Sequence, residues 1–332
     1  INGAAQVQQR NDLSISAGST NEGFAPDRFH VLLSNMDQLA GTFTTVADAP
    51  DNTGLTRSIK WTTTTPETSI DSNELYSIRH NIEAQNLQSL EYGTSDAKYT
   101  TLSFWVKSSV TGTFGITLYH ADGNQTVTNT YTIASANTWQ YVTWTIPPNT
   151  SGTINNDNGE GLRFIWQLAS GSTYDGGSSN QNNWISHVNG SWAYGHAQDG
   201  VVTTDNATFQ LTGLQYEIGE QATEFEHEPF ETTLSKCHRY YQEVSIGTLY
   251  MNGLETDYFY RSHLLPVKPR ATPTIAVHTQ FQYYQGGSAA NFTPTFGVSG
   301  DGLAHQHINV YGTSLTNGNG LYTGTFSADA EL

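Results

Sequence analysis

An all-β fold is what this chain of 332 residues predicts, on three observations. Charged residues make up only 13 % and aromatic residues 12 %, while Thr, Ser, Asn and Gly crowd the sequence, a composition suited to strands and turns. Short runs alternate apolar and polar residues, the period of a half-buried strand. Turn-rich pieces such as ADGNQ and NNDNGEG separate those runs. A chain of this length can bury one large core or two modest ones.

The elements follow in order. Strands are predicted at Asp27 to Leu33, Gly41 to Ala47, Ser58 to Thr64 and Tyr76 to Ile82. Five more follow at Thr101 to Ser109, Thr113 to Ala121, Thr126 to Ala134, Trp139 to Pro147 and Gly161 to Ala169. In these, Phe104, Val106, Ile116, Leu118, Val142, Trp144, Phe164 and Trp166 alternate with Thr, Ser, Gln and Tyr, so a half-buried antiparallel sheet is the simplest reading. A further strand, Phe209 to Glu217, places Phe209, Leu211, Gly213, Gln215 and Glu217 on one face in an imperfect alternation. The count suits a two-sheet jelly-roll β-sandwich over residues 1–229.

After Pro229 the spacing changes. Phe230, Leu234, Cys237, His238 and Tyr241 recur at three or four residues, which predicts a short linking helix over 230–243 with Thr232 or Thr233 as its N-cap. The single cysteine, Cys237, excludes an intrachain disulfide and falls on the apolar face of that helix, the place of a buried small hydrophobe. Beyond it, strand-like runs at Leu249 to Met251, Thr256 to Leu264, Thr274 to Tyr284, Phe292 to Val298, His305 to Val310 and Gly320 to Ala328 predict a second, smaller β-sandwich over 244–332.

A formal net charge of −17 argues against nucleic acid and anionic membrane surfaces as partners, since both require a basic footprint. No apolar run reaches the eighteen or so residues that span a bilayer, so membrane insertion by a helix is not expected. The chain starts at Ile1 without a signal-peptide pattern, and a processed product or further sequence upstream is the expectation.

Four separated blocks carry a resemblance. INGAAQVQQR (Ile1 to Arg10) with PDRF (Pro26 to Phe29) opens the chain, with Asn2, Gly3, Gln9, Arg10, Asp27 and Arg28 at the matching positions. The pattern TGxQxExG then TxFE follows at Thr212, Gly213, Gln215, Glu217, Gly219, Thr223, Phe225 and Glu226, and then LSKCHRYYQE at Leu234 to Glu243. LPVKPRATPT (Leu265 to Thr274) and a terminal FSADAEL (Phe326 to Leu332) close it. In these blocks the chain resembles a family of bacteriophage tail-fibre and minor virion proteins, and its first module resembles jelly-roll carbohydrate-binding modules. The resemblance implies a virion protein, extracellular at the tail fibre, that forms a homotrimer with other phage virion proteins as partners and host surface polysaccharide as ligand. Roughly 35–207 match that family only in character.

The richest binding chemistry lies in Gly171 to Gly200, where Gly, Asn, Gln and Ser surround Tyr174, Trp184, His187, Trp192, Tyr194 and His196. Sugars present flat C–H faces above hydroxyls, so aromatic planes with amide and carboxylate partners suit them. Asp175, Asn180, Gln181, Asn182, Asn183 and Asp199 are the polar candidates. The same segment read structurally is a long loop whose Trp residues plug the end of the sandwich or meet a neighbouring subunit. His305 and His307 sit two apart, so on a strand both imidazoles point one way, and three copies on a threefold axis would offer six nitrogens to a transition metal. Solvated or hydrogen-bonded histidines are the simpler reading of a lone pair. Sandwiches of this class often hold a structural calcium where first and last strands meet; Asp27 and the seam acids Glu217, Glu220, Glu224, Glu226, Glu228 and Glu231 are the oxygen donors available there, without an Asp-rich loop of recognisable spacing.

Enzyme motifs are missing: there is no Gly-x-Ser-x-Gly elbow, His-Glu-x-x-His or phosphate loop. The expectation is therefore a non-enzymatic receptor-binding protein with no required cofactor. A capsid-attached decoration protein and a polysaccharide depolymerase are the alternatives.

Overall fold

The computed structural model describes residues 1–18, 21–175, 181–246, 249–254, 258–285, 288–298, 307–313 and 318–332. It divides into two compact units, 1–230 with Leu332, and 231–331.

The first unit is an antiparallel sandwich. Its strands are β1 (Leu13–Ile15), β2 (Asn21–Phe24), β3 (Phe29–Ser34), β4 (Ala40–Val46), β5 (Ser58–Thr65), β6 (Leu75–Glu83), β7 (Thr100–Ser108), β8 (Gly112–His120), β9 (Gln125–Ile133), β10 (Gln140–Ile146), β11 (Glu160–Ser170), β12 (Ile185–Ser186) and β13 (Thr208–Ile218). A six-stranded sheet runs β1-β4-β5-β13-β7-β10, and a seven-stranded sheet runs β12-β9-β8-β11-β6-β3-β2. The mostly β, two-sheet architecture is thus the one the sequence predicts. Non-sequential neighbours, such as β13 between β5 and β7, bring the chain's distant parts together.

Alternation decides what is inside. Phe104 on the six-stranded sheet meets Tyr131 and Trp166 of the other at ring distances of 5.4 and 5.6 Å. Trp61 meets Tyr76 at 4.7 Å and Phe209 meets Phe114 at 5.8 Å. All but Tyr131, itself only 6 % exposed, are fully buried. Facing aromatics on twisted sheets fill the space between layers with few atoms of side-chain entropy to lose.

One strand corrects the simple alternation. Phe209 and Leu211 face the core, but a register shift between Thr212 and Gln215 then turns Leu214 and Tyr216 inward instead. Gly213 sits at this bulge with φ +62°, where a Cβ would lie 2.9 Å from Leu55. The predicted face of Gly213, Gln215 and Glu217 therefore does not continue that of Phe209 and Leu211. Strands β1, β2 and β12 and a 3₁₀ helix, Ala84–Leu90, were not foreseen either; Leu87 and Leu90 of the latter join the core.

In the second unit α-helical structure spans Phe230–His238, and Tyr241–Ser245 is already a strand, β14. The predicted helix over 230–243 is thus too long. Thr233 does not cap it: Thr233 and Cys237 form its inward face, both buried, and Tyr240 just beyond its end is buried as well. The remaining strands are β15 (Leu249–Leu254), β16 (Tyr258–Leu264), β17 (Thr274–Gln285), β18 (Ser288–Phe292), β19 (Thr295–Val298), β20 (His307–Thr313) and β21 (Gly318–Asp329). The run Phe292 to Val298 is two strands in different sheets, since β18 pairs β17 whereas β19 pairs β20. A small core of Ile246, Leu265, Phe281, Ile308, Val310, Phe326 and Ala328 lies between a five-stranded and a three-stranded sheet.

Candidate functional site

Of the segment 171–200, the described residues 181–200 run over the outer face of the seven-stranded sheet and are tied to it strand by strand. Asn182 N donates to Thr128 O at 2.9 Å and His187 N to Asn124 O at 2.8 Å. Thr126 and Ser191 share a hydroxyl hydrogen bond at 2.9 Å. Gly115 N donates to His196 Nδ1 at 3.1 Å, and Ala197 N to Thr113 O at 3.1 Å. The Trp192 carbonyl accepts from both Thr117 Oγ1 and Gln167 Nε2. A segment fixed at so many points holds its side chains without the ordering cost a free loop would incur on binding.

Two tryptophans of this loop have different surroundings. Trp184 turns to the end of the sandwich, where its Nε1 donates to Pro147 O at 2.8 Å and its ring meets Tyr92 at 5.9 Å and His120 at 6.3 Å. Trp192 instead lies on the outer face. Its ring centroid is 4.3 Å from His187 and 5.1 Å from Tyr119, and His187 and Tyr119 are 5.6 Å apart. All three are half-buried, and their planes are tilted to one another by 51–75°. Burial lowers the His187 pKa, so the imidazole is neutral at neutral pH and packs as an aromatic ring.

The floor beside this cup is cationic. Arg79 on β6 and Arg163 on β11 lie diagonally on the same face, because Arg79 pairs with Ile165 and Arg163 with Asn81. The Arg79 guanidinium carbon is 5.9 Å from the Trp192 ring centre and that of Arg163 is 5.6 Å from Tyr119. Arg163 Nη2 donates to Glu160 at 2.6 Å. His30, opposite Arg79 on β3, has Nε2 3.3 Å from Glu22; burial, then Arg79, Arg163 and Arg28, hold its pKa well below the ordinary value.

Of the other residues read from the sequence, Tyr174 and Asp175 sit on a short helix, Ser172–Asp175, both half-buried. Burial and then Asp199 raise the Asp175 carboxyl, while His196 opposes them. Asn183 is exposed and Tyr194 half-buried. His196 is buried, with Nε2 3.3 Å from Asp199, so it anchors the loop. The structure therefore gathers His187 and Trp192 and leaves Trp184 and His196 in packing roles. Asn180 and His305 lie outside the described residues, and of His307 only the strand β20 backbone is described.

Sequence reasoning missed Tyr119, Arg79 and Arg163. The signal was present: alternation with the buried Ile78, Leu118, Leu162 and Phe164 puts Arg79, Tyr119 and Arg163 on the outward side of their strands, where a Tyr and two Arg are large binding-competent side chains. It also missed an aromatic groove of about 610 Å³ on the six-stranded sheet, lined by Trp105, Tyr141, Phe225 and His227 with Glu224 and Asn52. Trp105 and Tyr141 are cross-strand partners with rings 5.1 Å apart.

Two of the seam carboxylates, Asp27 and Glu217, accept hydrogen bonds within the chain. Asp27 accepts from Gln9 N and Nε2, and Glu217 from Thr223 N and Oγ1 at 2.8 Å. A different group, Asp37, Glu67 and Glu74, brings its carboxylate oxygens within 4.8 Å of one another, with Glu67 and Glu74 buried.

No family model matches the chain, and no curated protein does. Among solved structures it is similar to the enzymatically active domain of tailspike protein 4 of bacteriophage CBA120, at 13 % identity and a TM-score of 0.33 over 66 % of this chain. The match spans about a fifth, 21 %, of that domain. It is also similar to a family 11 carbohydrate-binding module from Clostridium thermocellum in complex with a β-1,3-1,4-mixed-linked tetrasaccharide, at 11 % identity and a TM-score of 0.29, over 63 % of this chain and 100 % of that one. A CBM22-1 xylan-binding domain from Paenibacillus barcinonensis is 13 % identical with a TM-score of 0.26, over 65 % and 99 %. These likenesses are distant, and no site residue is carried over from them.

Proposed function

We propose that the first unit is a carbohydrate-binding module and that the chain is the receptor-binding part of a phage tail fibre, acting outside the cell by reversible adsorption to host surface polysaccharide rather than by catalysis. The observation that carries the binding reading is the Trp192, His187 and Tyr119 cup, held over the sheet by a loop clamped at Thr117 and Gln167. A sugar ring laid against Trp192 stacks its C–H face on the indole while the surrounding Arg, His and Glu side chains meet its hydroxyls. The virion reading rests on the four sequence blocks, from Asn2 to Leu332, that resemble tail-fibre proteins. A homotrimer with other virion proteins as neighbours belongs to the same reading, since three weak sites on one axis bind a repeating surface far more tightly than one.

Glycan-array and whole-cell binding of wild type beside Trp192→Ala and Trp184→Ala tests this. Trp192→Ala is expected to lose binding with its melting temperature nearly unchanged. Retained binding in Trp192→Ala, or no binding by wild type, would refute the site; the fibre would then be a capsid-attached decoration with a structural role. Release of reducing ends from host envelope polymer would instead establish a depolymerase. Light scattering on the purified chain checks the trimer.

A further inference from the structure

We propose that the sugar bound at this face is an acidic one, whose carboxylate is received by Arg79 and Arg163. The inference rests on the glycan-binding reading and names its substrate class.

Arg79 is 6 % exposed, yet its only hydrogen bond runs from Nε to Ser77 Oγ at 2.9 Å. Among the described residues its two terminal nitrogens have no hydrogen-bond partner, and unlike Arg163 Nε they are not sealed from solvent, so their four N–H donors are open to a ligand. Its guanidinium also lies over the Trp192 ring face. Glu160 binds Arg163 and Glu22 lies against the neutral His30; both favour the Arg79 charge from a distance, but neither hydrogen-bonds its guanidinium. Three further atoms of the same face are buried without a partner, namely Arg163 Nε, His30 Nδ1 and Gln167 Oε1. Burying a guanidinium that has no carboxylate in direct contact is expensive: burial, then Arg163, lower the Arg79 pKa to about 9 against the opposing pull of Glu22 and Glu160. An incoming carboxylate relieves that cost. It accepts two parallel hydrogen bonds from the Arg79 fork, and it replaces like-charge repulsion with attraction to both guanidiniums.

The whole molecule makes the placement more telling. The chain carries 30 acidic and 13 basic residues, so its general field repels polyanions. Attraction of an acidic polymer must come from a local site, and here one of the scarce arginines lies over the Trp192 ring and a second over the neighbouring Tyr119 ring. A uronic acid carries its carboxylate on the ring carbon next to the ring oxygen, which lets one residue stack on Trp192 and reach Arg79 together.

The test uses the full chain and four polymers: polygalacturonate, the same polymer after carboxyl reduction, dextran sulfate and dextran. Tight binding of polygalacturonate, with affinity lower by roughly 30-fold for the reduced polymer, is the expected result. Arg79→Gln and Arg163→Gln should each erase that difference while retaining the weak binding of reduced polymer, and Trp192→Ala should lose both. The second arginine variant covers the case in which Arg79→Gln fails to fold, since the Arg163 side chain is 22 % exposed. Dextran sulfate binding as tightly as polygalacturonate would overturn the carboxylate and assign a sulfate. Equal binding of acidic and neutral polymers, sensitive to Trp192→Ala, would overturn the acidic ligand and leave the glycan site standing. Failure to bind any polymer would overturn both.

Discussion

Trp184 and Trp192 lie in one loop and share a residue type, yet they are expected to fail differently when removed. Trp184 fills the end of the sandwich against Tyr92 and His120 with its indole N–H satisfied, so Trp184→Ala should cost about 3 kcal/mol in a denaturation experiment and leave ligand affinity of the folded fraction intact. Trp192→Ala should show the reverse. The residues that carry the family resemblance have a third role, since they are knots of the backbone. Asn2 donates to Val7 O at 2.8 Å and to Asp27 O at 2.9 Å and accepts from Val7 N at 3.0 Å. It is 3 % exposed, and Asn2→Ala strands all three partners, so a loss of about 2–3 kcal/mol is expected by denaturant titration. At the seam, Gln215 Oε1 accepts from Glu226 N at 2.8 Å and Glu217 receives Thr223, which closes the turn after β13. A match in these blocks therefore reports fold identity and says nothing about the ligand.

At the scale of elements, the loops at one end of the sandwich concentrate charge that the strands do not. Glu74, on the approach to β6, is 3 % exposed; burial first, and Glu67, Asp71 and Asp37 after it, raise its pKa. A carboxyl whose folded pKa lies above its unfolded value costs nothing while both states are protonated, destabilises as pH climbs through the unfolded value, and carries its full cost above the folded one. In chelator-containing buffer, Glu74→Gln is thus expected to raise the melting temperature at pH 7 and to leave it unchanged at pH 3; a gain at both would deny the electrostatic origin. Where β13 bulges, the N-terminal segment docks: Leu214 N donates to Gly3 O at 2.9 Å, and a Cβ on Gly3 would come within 2.0 Å of Leu214 O. Gly3→Ala cannot keep that backbone contact, and a lower melting temperature in Gly3→Ala measures how far the docking contributes to the sandwich.

Over the whole first unit, buried histidines set the acid limit. His30 and His80 are held neutral, their pKa values well below the ordinary value chiefly by burial, with arginines adding to it. A base with a depressed folded pKa leaves the unfolded state binding more protons just below 6.5, so stability is complete above that value and falls as pH drops toward the folded pKa. The melting temperature should therefore decline from pH 7 to pH 5, before the carboxylates titrate. The decline should be shallower in His80→Gln, which cannot take up a proton; an identical slope would point to other groups.

The mostly β class and the places of nearly all strands of the first unit are legible in the sequence because alternation is a local property: Phe104, Val106, Ile116, Leu118, Phe164 and Trp166 declare the buried side of their strands by spacing alone. The helix after Pro229 is legible in part, and its early end at His238 is not, because the pull that makes Tyr241–Ser245 a strand is its pairing with Asp329 through Thr325, far along the chain. The bulge at Gly213 likewise belongs to pairing with β7. The aromatic loop announces itself by composition, but composition cannot say which ring turns inward. That was decided by Pro147 O, which captures the Trp184 indole, and by Thr117 and Gln167, which hold Trp192 out. The arginines beside it come from β6 and β11, neighbours in the sheet although separated by four intervening strands in sequence, and only tertiary pairing places their charges side by side against the Trp192 and Tyr119 rings.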